Sequence, residues 1–184
     1  LLLVAGTGAM AQQPFPEQGP QDVCLTGIAE PYGVEPTLNS TYTWTIDNLT
    51  VSPNWTLNNS NTNVISVVWL VPGTYTVQVV ETNSEGCDGP MITVPVTVHA
   101  LPTVDLTGPS PVCLNSTGNV YTTDAGNSNY TWVVLGGTIT AGGGLNDNTV
   151  TITWDGVAPF SVSVNYEDIN GCTAASPTVL PVTV

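Results

Sequence analysis

Four cysteines, a single histidine and fourteen carboxylates are the side chains of this chain best suited to ligate a metal, attack a carbonyl or shuttle a proton. Nucleophilic catalysis needs a base beside its nucleophile and an acid to orient that base. His99 is the one imidazole, and no Ser or Cys stands near it with an acid at a recognisable spacing. A zinc site needs clustered Cys and His, and the chain has no CxxC. Paired carboxylates could hydrolyse a glycoside, but Glu167 and Asp168 are adjacent and would point to opposite faces of a strand. Glu81, Glu85 and Asp88 surround one turn and could offer oxygens to calcium, without the spacing of an EF-hand loop. No residue is assigned a catalytic role or a metal, calcium is the only cofactor left open, and the chain is expected not to be an enzyme.

Charge narrows the partners. There is no Lys or Arg, and the formal net charge is −14. Phosphate affinity comes from Lys and Arg, so nucleic acid is excluded as a partner, and docking on anionic lipid is disfavoured. No apolar run approaches the ~20 residues needed to cross a membrane as a helix. Leu1-Leu2-Leu3-Val4 followed by Ala9-Met10-Ala11 reads as the remnant of a secretory signal with an A-x-A cleavage site, residues 1–11, or alternatively as a short buried strand. The first reading places the protein outside the cell, secreted or at the cell surface, where disulfides form. Residues 12–20 hold three prolines and read as an extended leader.

The positioning elements come from an internal repeat. Cys24 is matched by Cys113, 89 residues on; Tyr42-Thr43-Trp44 by Tyr130-Thr131-Trp132, 88 on; and Trp69, Tyr75 and Cys87 by Trp154, Phe160 and Cys172, each 85 on. Val94-Pro95-Val96-Thr97-Val98 recurs as Leu180-Pro181-Val182-Thr183-Val184. Two modules follow, residues 21–100 and 101–184, joined by a short link stiffened by Pro102. The second ends at its last strand where the first runs on into the link, which suggests a parent protein with further modules.

Within each module the period is two: Tyr42, Trp44 and Ile46, or Val162, Val164 and Tyr166, alternate with polar residues. Gly136-Gly137, Gly142-Gly143-Gly144 and Asn170-Gly171 mark tight turns. The fold class is all-β: two tandem immunoglobulin-like sandwiches. Pro95 and Pro181 predict edge strands or bulges, since proline donates no ladder hydrogen bond.

Each module carries one Cys at its first strand and one after its penultimate strand. The repeat therefore predicts one disulfide per module, Cys24–Cys87 and Cys113–Cys172. Trp44, Trp69, Trp132 and Trp154 sit at inward positions and are expected in the cores. Trp55 has no counterpart and lies in the polar run Ser52-Pro53-Asn54-Trp55-Thr56, so it is the candidate for an exposed ligand contact. Six N-x-[ST] sequons occur, at Asn39, Asn48, Asn54, Asn58, Asn115 and Asn129.

Tyr130-Thr-Trp132, Gly136-Gly137, Gly142-Gly-Gly144, Val150-Thr-Ile-Thr-Trp154, Asn170-Gly171-Cys172 and Cys113 together resemble the PKD-like repeat of secreted and cell-surface proteins of Bacteroidota, of the adhesin type associated with gliding and type IX secretion. The first module is similar through Tyr42-Thr-Trp44, Val67-Val-Trp69, Gly73-Thr-Tyr75 and Glu85-Gly86-Cys87. The resemblance implies no catalytic residues, and implies spacer or adhesive modules. Partners would be neighbouring modules or other copies, and surface glycans or proteins. Two alternatives stand beside this: an extracellular filament subunit that donates residues 1–11 as a strand to a neighbour, and a carbohydrate-binding accessory module using Trp55.

Overall fold

The computed structural model describes residues 14–15 and 21–184, all of it strand, turn and loop without a helix among the described residues. The expected signal remnant, residues 1–11, and most of the leader lie outside the described residues. The chain divides into two compact units, Leu1–Ala100 and Leu101–Val184.

The first unit contains β1 (Pro14–Phe15), β2 (Gln21–Cys24), β3 (Ala29–Val34), β4 (Thr41–Ile46), β5 (Trp55–Asn58), β6 (Val64–Trp69), β7 (Gly73–Thr82) and β8 (Ile92–His99). They form two four-stranded sheets, β1-β3-β6-β5 and β2-β8-β7-β4. Alternation buries one face of each. Tyr42, Trp44 and Ile46 of β4 and Tyr75, Val77 and Val79 of β7 meet Tyr32, Val34, Ile65, Val67 and Trp69 of the other sheet in one core.

In the second unit, β9 (Leu106–Thr107), β10 (Asn119–Thr123), β11 (Ser128–Leu135), β12 (Thr138–Gly142), β13 (Thr149–Thr153), β14 (Ser161–Glu167) and β15 (Thr178–Pro181) form the sheets β12-β13-β10-β9 and β11-β14-β15. Their core is built from Tyr121, Tyr130, Trp132, Val150, Ile152, Trp154, Val162, Val164 and Tyr166. Each unit is thus a β-sandwich.

The two prolines behave differently. Pro181 ends β15, which lies at the edge of its sheet. Pro95 belongs to β8, which is not an edge strand but lies between β2 and β7. Among the described residues β2 begins pairing only at Val96, opposite Gln21, so the ladder on that side does not draw on position 95.

Candidate functional site

The residues expected to be core are core. Trp44, Trp69, Trp132 and Trp154 are all buried. Trp69 packs edge-on against Tyr32, centroids 6.2 Å apart, and stacks on Tyr75 at 4.7 Å. In the second unit Trp154 meets Tyr121 at 6.0 Å and Phe160 at 5.9 Å, both edge-on. Trp44 donates its indole N–H to the Thr62 carbonyl at 2.8 Å, and Trp132 donates to the Asp147 carbonyl at 2.8 Å. The same aromatic scaffold is therefore built twice.

Trp55 corrects the expectation of an exposed contact residue. It is only 3% exposed. It opens β5 and stands opposite Trp69 across the ladder. Cross-strand partners share a face of the sheet, and the Trp69 face looks into the core. The polar run around Trp55 belongs to the turn before it, bridged from Ser52 to Trp55.

The acidic candidates are dispersed. Glu81 is buried within β7. Asp88 Oδ1 accepts from the Thr82 hydroxyl at 2.7 Å. Glu167 Oε2 accepts from Asn129 Nδ2 at 2.7 Å. Among the described residues no three of His, Cys, Asp and Glu come together as metal ligands. His99 is the last residue of β8, and its Nε2 lies 2.8 Å from Asp22 Oδ1. That contact ties β2 to β8. An opening of about 200 Å³ in the first unit is lined by Val34, Glu35, Pro36, Asn63 and Val64. It is smaller than the usual small-molecule site of ~300–1,000 Å³.

Four of the six sequon asparagines, Asn39, Asn48, Asn115 and Asn129, hold positive φ between 53° and 63°. Asparagine is the residue after glycine that best tolerates this left-handed backbone, so these positions are explained by turn chemistry alone.

The cysteines carry the largest correction. Neither expected pair is closed: Cys87 and Cys113 are free, exposed thiols, while Cys24 and Cys172 are disulfide-bonded. The strand registers give the reason. Cys24 pairs with His99 at the end of β8, level with the start of β7, where Gly73 faces Val98. Cys87 lies beyond the opposite end of β7, where Thr82 bridges Asp88. About ten residues of strand separate the two, ~30 Å, against the ~7 Å between Cα atoms that a disulfide tolerates. In the second unit the Val112 N–H donates to the Thr183 carbonyl, which sets Cys113 beside the chain's last residues, past the Phe160 end of β14. Cys172 lies past the other end, where Glu167 bridges Thr173. The separation there is ~25 Å.

Cys87 and Cys172 stand in the same turn. Asn83 N–H donates to the Cys87 carbonyl at 3.0 Å, and Asp168 N–H to the Cys172 carbonyl at 2.9 Å. Asn83 Oδ1 and Asp168 Oδ1 accept the cysteine N–H in return, at 2.9 and 2.8 Å. Gly86 and Gly171 supply the positive φ, 81° and 78°. The Asx residue four positions before each cysteine was a visible signal of this turn. What spacing could not supply is the end of the sandwich on which each cysteine falls.

Comparison with known proteins follows the same lines. Residues 99–182 match the PKD-like domain family. No curated protein matches the sequence. Solved structures similar to this chain include the fibronectin(III)-like modules of Clostridium thermocellum CbhA, 16% identical over 95% of this chain and 94% of that one, TM-score 0.44. The D00–D0 domain of intimin is 13% identical over 95% of this chain and all of that one, TM-score 0.44. SGBP-B of a Bacteroides ovatus mixed-linkage glucan utilization locus, solved in complex with a mixed-linkage heptasaccharide, is 18% identical over 96% of this chain and 48% of that one, TM-score 0.39.

Proposed function

We propose that this chain is a non-catalytic pair of tandem PKD-like modules from a secreted bacterial cell-surface protein, serving as spacer or adhesive stalk. The observation that carries the reading is the doubling itself. Residues 99–182 match the PKD-like domain family, and the Trp–Tyr packing, the indole-to-carbonyl bond and the Asx–Gly–Cys turn of that stretch recur before it. The carbohydrate-binding alternative rested on Trp55, and its burial removes that support. The donated strand of the filament alternative lies in residues 1–11.

The reading is tested on producing cells. An antibody raised against the chain should label intact cells, and brief surface proteolysis should remove the label. The protease must not be trypsin, which has no Lys or Arg to cut here. Antigen confined to the cytosolic fraction would overturn it.

A further inference from the structure

The sheet β11-β14-β15 buries one face in the second core and turns the other outward. Cross-strand pairing sets the outward face in rows: Val133, Ser163 and Val179 in one, Leu135, Ser161 and Pro181 in the next. Val133 is 49% exposed, Leu135 48% and Val179 58%. Side chains stand nearly perpendicular to a sheet, so β11 and β15 raise two apolar ridges, and the serines of β14 floor a furrow between them. The ridges lie about 10 Å apart, two strand spacings.

The fold does not demand this surface, because the first unit carries the same row with other residues. There Thr45 pairs with Gln78, and Gln78 with Thr93. By the repeat, Val133 stands where the first unit has Thr45, Ser163 where it has Gln78, and Val179 where it has Thr93. Gln78 fills the furrow and is 8% exposed; Thr45 Oγ1 and the Asn48 N–H both donate to its Oε1, at 3.2 and 2.7 Å. The first unit closes this face with its own polar side chains, and the second leaves it open and apolar.

Charge decides what covers it. With fourteen carboxylates and no Lys or Arg, copies repel wherever carboxylates approach. Neither row of the open face holds a carboxylate. Those of the second unit stand outside its strands, except Glu167 at the last position of β14, where Asn129 Nδ2 donates to it at 2.7 Å. A cationic partner is drawn to the acidic loops. The open face suits a partner as uncharged as itself, and a second copy presents that surface. We propose that two copies pair through this face about a two-fold axis, each laying an apolar ridge in the other's serine furrow.

The size of the face sets the strength. Three strands of this length present roughly 15 Å by 20 Å, below the ~800 Å² per partner of a standard interface, so the pairing is weak and concentration-dependent. Copies tethered side by side raise its effective concentration. The proposal concerns the second unit alone, so it stands or falls apart from the stalk reading.

The test is sedimentation equilibrium of the full 184-residue chain, with Cys87 and Cys113 alkylated so that no new disulfide joins copies. The average mass should rise toward that of a dimer as concentration approaches ~1 mM, the range of a contact below standard size. It should rise further at ~1 M than at ~0.1 M salt, because salt screens the repulsion and leaves the apolar contact. The triple variant V133T/S163Q/V179T imports the row that the first unit already carries, so it should keep the wild-type near-ultraviolet circular dichroism. Its pairing should weaken at least ~10-fold, since each copy loses two methyl groups from the contact and its furrow is filled. Val120, 47% exposed on the outer face of the other sheet, supplies the control: V120T should pair as wild type does. A wild-type chain that stays monomeric at the highest concentration and salt overturns the proposal. So does a dimer that weakens with salt, or one that the triple variant and V120T affect equally.

Discussion

Tyr166 donates its phenol to Asp124 Oδ2 at 2.9 Å, and the two residues lie 42 positions apart in sequence. The bond joins β14 to the loop after β10 and sits at the edge of the second core, where Tyr130 packs against Tyr166 at 5.6 Å. Burial, and then the carboxylate beside it, push the Tyr166 phenol up to about 12. An unfolded tyrosine titrates near ~10. The folded group holds its proton more tightly, so its contribution to stability is whole below about pH 10 and is lost as pH rises through about 12. The urea midpoint of the second unit should therefore fall between pH 10 and 12. Y166F should flatten that fall and cost ~1 kcal/mol at neutral pH, from one lost hydrogen bond. An unchanged alkaline profile in Y166F would remove Tyr166 as its source.

Tyr32 gives the first unit its own alkaline transition. Burial, its chief cause, raises the phenol to about 12. The sign is the same: stability is intact below about pH 10 and lost through about pH 12. Y32F leaves the ring in the core and removes the titrating group, so the alkaline midpoint of the first unit should shift upward. Ultraviolet difference titration near 295 nm checks it by counting one fewer late-titrating phenol.

Trp55 is expected to behave as a core residue in mutagenesis. Trp55→Ala should destabilise the first unit by about 3–5 kcal/mol, the usual range for deleting a buried large aromatic side chain. Equilibrium urea unfolding followed by fluorescence measures it. A change below ~0.5 kcal/mol is what a surface residue gives, and would return Trp55 to the ligand-contact role.

The contrast between Trp55 and the other four tryptophans shows what the sequence could carry. Trp44, Trp69, Trp132 and Trp154 were legible as core because each recurs and each stands in a run of period two. Trp55 has no counterpart, and its polar neighbours belong to a turn, so local pattern pointed outward. Only the pairing with Trp69 turns it inward. The cysteines fail for the same reason. Their repeat correctly equates Cys24 with Cys113 and Cys87 with Cys172, but spacing does not say which end of a strand a residue reaches. That depends on β2 running parallel to β8 and meeting it at Val96–His99, a long-range pairing no local period encodes.

Gly136 tests the turn after β11. Its φ is +77°, and a Cβ there would overlap the Phe160 ring and lie 2.9 Å from the Pro159 carbonyl. Its own carbonyl accepts from Gly156 N–H at 3.0 Å, so the backbone cannot move away freely. Gly136→Ala should cost about 2–4 kcal/mol, combining left-handed strain with overpacking. Shortening Phe160 alongside it should recover the overpacking part alone. Urea unfolding of the single and double variants separates the two contributions.

The free thiols can be counted directly. Monomer purified without reductant should react with two equivalents of a thiol reagent under native conditions, since Cys87 and Cys113 are exposed and unbonded. Full pairing within each module would give none. Alkylation followed by digestion should find the label on Cys87 and Cys113 and leave Cys24 and Cys172 unmodified.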